Sequence, residues 1–313
     1  MAARAIIIDT DPGQDDAIAI LLALASEEFD VLGLSVVAGN VPLDLTERNA
    51  RRVCELAGRP DVKVFAGCAR PLVRPQVTAE EVHGKTGLDG PDLPEPTMPL
   101  QPQHAVDWIV DTLRAAPAGS ITLCTLGPLT NIAAALIKAP DVAPRIAEIV
   151  LMGGGFFEGG NVTPAAEFNI YVDPHAAHVV FTSGVKLTMH PLDVTHKALM
   201  TRAWIESLRG LGTKTGAAAA AMLDFYERFD REKYGGQGGP LHDPCVVAYL
   251  LQPGLFGGKD CNVRIETGSE LTMGMTVVDW WDVTPAPANC RVINRIDAAG
   301  FYELIRGRLA RLP

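Results

Sequence analysis

The chain has 313 residues, of which 48% are hydrophobic and 20% charged, enough apolar mass for a large core and too little charge for a disordered tail. With 37 acidic against 27 basic residues the formal charge is -10. That balance repels phosphate backbones and anionic lipid surfaces, so neither a nucleic-acid nor a membrane partner is expected. The six cysteines (Cys54, Cys68, Cys124, Cys245, Cys261 and Cys290) show no C-x-x-C spacing and read as buried, reduced thiols. Residues 1–8 break into Asp9 too early for a signal-peptide core, and a cytoplasmic location is expected.

Short Ile/Val-rich runs alternate with helix-period segments. The expected fold is α/β: one large domain over 1–313 with a doubly wound, open, mostly parallel sheet flanked by helices. Strands are expected over 5–8, 31–38, 62–66, 121–125, 148–152 and 185–189, and helices near 15–26, 43–57, 103–115, 128–138 and 174–183. Beyond about 200 the reading is helical segments, strands around 262–267 and 275–279, and a closing helix near 298–311. Two Gly/Pro-rich stretches, near 76–100 and 226–242, read as mobile loops able to fold over a site.

The strongest local signal is Ile6-Ile7-Ile8-Asp9-Thr10-Asp11-Pro12-Gly13-Gln14-Asp15-Asp16-Ala17, which sets four carboxylates where a strand hands over to a helix. Open α/β sheets bind ligands at this edge. Helix capping accounts for Asp15 and Asp16 but not for all four, and carboxylates this close repel unless a cation or several donors neutralise them. A hard divalent ion explains the set most economically. Neither a P-loop nor a dinucleotide fingerprint follows the strand. An Asp-x-Asp turn also resembles the haloacid-dehalogenase phosphatases, but Pro12-Gly13 does not fit their usual continuation.

Further polar groups recur at strand ends. Gly39-Asn40 closes the second strand, and Leu126-Gly127-Pro128-Leu129-Thr130-Asn131 follows another, with a carbonyl able to face an ion. Met152-Gly153-Gly154-Gly155 leads to Asn161 and then to Glu167-Phe168-Asn169, where side chains two apart would point the same way if the segment is extended. Such groups suit sugar hydroxyls, and an ordinary hydrogen-bonded loop explains them equally well. Asp173-Pro174 reads as a helix N-cap, and Asp193 and Asp243 have the same cap-like form. His83, His190 and His196, taken singly, read as surface or core histidines.

Together, Asp9-Thr10-Asp11-Pro12-Gly13-Gln14-Asp15-Asp16, Gly39-Asn40, residues 126–131, Met152-Gly153-Gly154-Gly155, Ala166-Glu167-Phe168-Asn169 and His242-Asp243-Pro244 resemble the inosine-uridine nucleoside hydrolase family, in order and across nearly the whole chain. The resemblance implies hydrolysis of the N-glycosidic bond of ribonucleosides. It implies Ca²⁺ held by Asp11, Asp16, the Leu126 carbonyl and Asp243, with Asp11 also the general base for the attacking water. Asp15, Asn40, Met152, Asn161, Glu167, Asn169 and Asp243 would bind substrate, an oxocarbenium-like ribose being stabilised by the carboxylate-rich floor. His242 matches the proton donor to the leaving base, with His83 as a helper. Residues 82–96 and the helix ending near Tyr234 look most like the pyrimidine-preferring cytidine/uridine branch, with Tyr226 and Tyr234 lining the base pocket; a purine-tolerant enzyme is the alternative. The family's dimers and tetramers imply a homo-oligomer. His190 departs from the small or apolar residue usual at its place.

Two other readings compete. A magnesium phosphohydrolase built on Asp9 and Asp11 would need a lysine at a later strand end, and no convincing one is present. A calcium-dependent nucleoside-binding protein would share the pocket without turnover.

Overall fold

The computed structural model describes residues 3–234 and 238–313, except the side chains of 230–234. In chain order the elements are β1 (Arg4–Thr10), α1 (Gln14–Leu24), β2 (Phe29–Val36), α2 (Leu43–Leu56), β3 (Val64–Ala66), α3 (Glu80–His83), β4 (Leu100–Gln101), α4 (Ala105–Ala115), β5 (Ile121–Thr125) and α5 (Thr130–Lys138). There follow β6 (Ile146–Met152), α6 (Phe168–Val172), α7 (Pro174–Phe181), β7 (Leu187–His190), α8 (Leu192–Thr195), α9 (Arg202–Arg209) and α10 (Lys214–Tyr234). The chain closes with α11 (Pro244–Leu251), β8 (Phe256–Ile265), β9 (Thr276–Asp279), β10 (Cys290–Ile296) and α12 (Ala298–Leu309).

The strands lie in the order β4-β3-β2-β1-β5-β6-β7-β10-β8-β9. Pairing is parallel from β4 to β10 and antiparallel only at β10–β8 and β8–β9. The α/β, mostly parallel architecture is the expected one. From β1 the chain first builds outward through β2 to β4, then restarts at β5 on the other side of β1. The carboxyl ends of β1 and β5 therefore flank the switch point where an open sheet leaves a crevice.

β1 shows why a sequence with three consecutive isoleucines becomes a central strand. Ile6 and Ile8 join the apolar layer of α1, α2, α11 and α12, whereas Ile7 joins the opposite layer of α4, α5 and α7. All three are fully buried, each such side chain stabilising the fold by about 1.5–3 kcal/mol. α1 is buried along its entire length, so the carboxylates of its first turn are carried into the interior.

Several boundaries differ from the sequence reading. The second strand ends at Val36, because the Val37 and Ala38 amides turn to bond the Thr10 and Cys68 carbonyls. The segment expected to be extended at 167–169 instead starts α6, with Glu167 as its N-cap. Asp193 caps no helix: its carboxylate accepts the backbone N–H groups of Phe156, Phe157 and Glu158. β10 and β4 fall outside the expected strands, and β8 begins at Phe256 rather than near 262. All six cysteines are free thiols, five of them buried. No helix among the described residues is long and apolar enough to cross a membrane.

Candidate active site

Asp11 leaves the end of β1 and is fully buried. Its Oδ2 accepts the Asn40 N–H at 2.7 Å, and Asn40 Nδ2 donates back to the Asp11 carbonyl at 3.0 Å. Its Oδ1 has no hydrogen-bond partner. Two glycines clasp this carboxylate: a Cβ at Gly39 would lie 2.0 Å from Oδ2, and one at Gly127 2.1 Å from Oδ1. The turns after β2 and β5 can close on Asp11 only because both positions lack a side chain.

Asp16 accepts from Thr10 Oγ1 at 2.6 Å, from Gly13 N at 3.0 Å and from Asp11 N and Asn40 Nδ2 at 3.3 Å. Asp15 stands beside it in the first turn of α1, and Asp243 arrives at the head of α11. Asp243 holds the N-cap position but makes no side-chain cap bond, which leaves its carboxylate for the cluster. Ligand oxygens of Asp15, Asp16 and Asp243 all lie within 4.8 Å of one another. Burial, reinforced by Asp16, raises the Asp11 carboxyl well above the usual range; burial and Asp16 push Asp15 up to about 8. Asp243 is raised well above its ordinary value by burial and then by Asp15, Asp16 and Asp11. Asp16 is raised by burial against the bonds it accepts, and sits close enough to Asp243 to share its proton.

No cation is among the largest influences on these four carboxyls. Hard oxygens gathered this tightly, with an unpartnered buried oxygen on Asp11, fit a hard divalent metal ion. The tight cluster differs from the expected ligand set by one member, having Asp15 where Asp11 was expected. The Leu126 carbonyl accepts Asn169 Nδ2 at 2.7 Å and keeps a second lone pair.

Above the cluster opens a cleft of about 840 Å³ including its mouth, lined by Asp15, Asn40, His83, Leu126, Met152, Asn161, Glu167, Asn169, Tyr226, His242 and Asp243. Asp11 and Asp16 lie beneath this floor rather than in its lining. Glu167 is locked by three backbone N–H groups (Gly154 and Asn169 at 2.9 Å, Ile170 at 3.2 Å), yet burial still raises it to about 7. Asn161 Oδ1 accepts the Phe168 N–H at 2.9 Å, which folds the 160s loop back over the sheet. Capping thus unites the polar groups that an extended strand was expected to align.

His83, Tyr226 and His242 stand among the lining groups; the rings of His83 and Tyr226 are 5.6 Å apart. His242 Nδ1 pairs with Thr195 Oγ1 at 2.7 Å. Burial lowers both histidines, His83 to about 3 and His242 well below the ordinary value. The side chain of Tyr234, and residues 235–237 of the Gly-rich loop, lie outside the described residues. Lining residues absent from the sequence reading include Thr78, Glu81 and Phe229, and Phe168 enters that reading only as part of a motif. Phe229 had a usable signal, since it follows Tyr226 by three positions on one helix and shares its face. Beneath the floor, Asp9 accepts Ser35 Oγ at 2.5 Å and Asn131 Nδ2 at 2.9 Å; burial raises it to about 7.

His190 does not line the cleft. It is buried at the end of β7 against the rings of Tyr249 (5.1 Å) and Phe256 (5.4 Å). Neither nitrogen makes a well-formed hydrogen bond, a contact with the Leu151 backbone offsetting burial only slightly, and its pKa falls to about 3. Below the ordinary value of 6.5 the unfolded chain takes up a proton that the folded chain refuses, so stability falls as the pH drops from 6.5 towards 3. His190→Phe is expected to stabilise by about 1–3 kcal/mol at pH 7. The gain should grow by about 1.4 kcal/mol per pH unit below 6.5, read from urea unfolding at pH 7 and 5. An equal gain at both pH values would mean that the imidazole is protonated or partnered.

The chain matches the family model described as inosine-uridine preferring nucleoside hydrolase over residues 6–303. It is 53% identical to an uncharacterised protein of Schizosaccharomyces pombe over 98% of this chain and 99% of that one. It is 48% identical, over 98% and 99%, to the pyrimidine-specific ribonucleoside hydrolase of Photobacterium profundum. Among solved structures it is similar to the purine-preferring ribonucleoside hydrolase from Gardnerella vaginalis, with a TM-score of 0.92, 33% identity and 98% of each chain covered. With the family model covering nearly the whole chain and the acidic floor at the sheet's switch point, this protein belongs to the inosine-uridine preferring nucleoside hydrolase family.

Proposed function

We propose that this glycosidase hydrolyses the N-glycosidic bond of ribonucleosides with a preference for pyrimidine bases such as those of uridine and cytidine, and that its metal is Ca²⁺. The observation that carries the reading is the set of buried, uncompensated carboxylates directly under a polar cleft. The identity to the Photobacterium pyrimidine-specific enzyme supports the base preference. A purine-tolerant enzyme is the alternative, favoured by the likeness to the Gardnerella enzyme.

Asp11, Asp16, Asp243 and the Leu126 carbonyl would hold the calcium, with Asp15 beside them. When bound, the ion supplies the positive charge that lets these carboxyls ionise together and makes nearby water more acidic. Asp11 is the general base: Asn40 fixes Oδ2, and the unpartnered Oδ1 leaves room for a proton. Asp15, Asn40, Asn161, Glu167 and Asn169 grip the ribose, and Met152 borders it. Their negative and dipolar groups stabilise the positive charge that grows on the sugar as the bond to the base lengthens. His242 donates to the departing base, and Tyr226 flanks that base; the Tyr234 side chain, expected to join it, lies outside the described residues. The segment near 76–100 acts as a lid; the tip of the other expected lid, residues 235–237, lies outside the described residues.

A homo-oligomer, dimer or tetramer, working in the cytoplasm belongs to the same reading. The exposed Leu271, Trp281, Val283 and Phe157 (86, 73, 81 and 64% exposed) support the assembly, which sedimentation measures. Release of free base from uridine, cytidine, inosine, adenosine and uridine monophosphate, with calcium and after chelation, tests the chemistry. Cleavage of uridine and cytidine above the purines, lost on chelation, is expected. Faster cleavage of inosine would select the purine-tolerant reading, and no cleavage of any nucleoside would leave a binding protein.

A further inference from the structure

Gln14 opens α1 next to Asp15 and is fully buried. Its Nε2 donates to the carbonyl of His83 at 3.0 Å and to that of Asp89 at 2.9 Å. Both amide hydrogens are thereby committed. Turning the amide over would set Oε1 against two carbonyl oxygens, so its orientation is fixed. Oε1 then faces His83 Nδ1 at 2.7 Å and can only accept. The ring, kept neutral by burial, must carry its proton on Nδ1.

The ring is also held by the space around it. A Cβ at Gly13 would lie 2.3 Å from His83 Nδ1 and 2.6 Å from Cε1. Gly13 has φ -94°, which any residue adopts, so the glycine answers to the imidazole rather than to the backbone. His83 is therefore seated by Gly13 on one side and Gln14 on another, and it lines the cleft with Nε2 as its lone-pair nitrogen. His242 differs: its Nδ1 partner is the Thr195 hydroxyl, which rotates to donate or accept and so permits a proton on Nε2.

We propose that Gln14 is a positioning residue that fixes His83 as a hydrogen-bond acceptor, so that His83 selects nucleosides by an N–H or O–H donor they carry instead of protonating the leaving base. This rests on the hydrolase reading above and divides the two histidines: His83 recognises, His242 donates. The donor is either an N–H of the base or the 5′-hydroxyl of the ribose, and the test separates them.

The kcat/KM values of the wild type, Gln14→Met and Gly13→Ala are measured on uridine, 3-methyluridine and 5′-deoxyuridine. In parallel, the tautomer of His83 is read from the nitrogen spectrum of histidine-labelled protein, with His83→Asn for assignment. The wild type is expected to carry the proton on Nδ1 and to disfavour one analogue by about tenfold, the worth of one hydrogen bond. In Gln14→Met uridine should drop towards that analogue, leaving the ratio within about twofold, whereas a penalty from the added methyl's bulk would persist. Equal losses by Gln14→Met on all three substrates would make Gln14 merely a structural anchor. A wild-type proton on Nε2, or no discrimination against either analogue, would also overturn the proposal. The wild-type spectrum needs no turnover, so failure of the hydrolase reading, seen as no cleavage of uridine with calcium, is distinguishable from failure of this one.

Discussion

Asp11→Asn is expected to lower kcat on a cleaved nucleoside by about 10²–10⁴-fold with the protein still folded, the range for loss of a positioned general base. The replacement is nearly isosteric. The Asn40 N–H at 2.7 Å demands an acceptor at the Oδ2 position, so the new amide must place its NH₂ where Oδ1 stood. The site then presents a donor where a proton has to be taken up. Since burial and Asp16 already oppose ionisation of Asp11, the neutral amide relieves repulsion, and the metal-free variant should melt no lower than the metal-free wild type. Base release and thermal unfolding measured on one preparation check both halves. A variant retaining a tenth or more of the wild-type kcat would remove Asp11 from the role of base.

Chelation should have the second large effect, and its sign with pH is specific. Asp15 titrates at about 8 in the metal-free fold against 3.8 unfolded, and Glu167 at about 7 against 4.5. Each holds its proton more tightly folded than unfolded. Their contribution is complete below the unfolded values and is lost as the pH rises through 7 and 8. Near pH 6.5 the buried histidines are half protonated when unfolded and neutral when folded, an opposing effect of about 0.4 kcal/mol each that fades by pH 8 and is smaller than the carboxyl loss. The chelated protein is therefore expected to lose stability between pH 6.5 and 8, by up to about 1.4 kcal/mol per unit for each such group. Calcium at a hundred times its dissociation constant should restore about 2.7 kcal/mol and flatten the slope. Thermal unfolding at pH 6.5 and 8, with and without calcium, tests this. A chelated protein equally stable at both would mean that the carboxylates are neutralised by something other than a cation.

The acidic turn is legible in sequence because strand, turn and helix are contiguous there and four carboxylates need a reason to be together. The central strands are legible for a similar local cause, each being a short apolar run covered on both faces. β8 is harder to see because it opens on Gly257-Gly258. A Cβ at Gly258 would lie 2.1 Å from the Val292 carbonyl, so what reads as a breaker is the condition for β10 to pack closely. β10 itself, with Arg291, Asn294 and Arg295 among its apolar residues, depends on partners far away in the chain. The union of Glu167 with Asn169 turns on a five-residue helix specified by its cap, and Gln14 looks like a spacer between Gly13 and Asp15 until His83 is set beside it. In each case the missing information is a distant partner.

The floor of the cleft comes from strand ends at the centre of the sheet, whereas its roof comes from α3 and α10 with their flanking segments. The two parts therefore face different steric constraints. The floor admits almost no change, since even a methyl group at Gly39 or Gly127 collides with Asp11. Under the reading proposed above, the roof is the part in which a change can alter which base is accepted while the floor keeps its carboxylates. A graft of another enzyme's roof onto this scaffold needs its own counterpart to the Gln14 seam, because that side chain ties the two modules together.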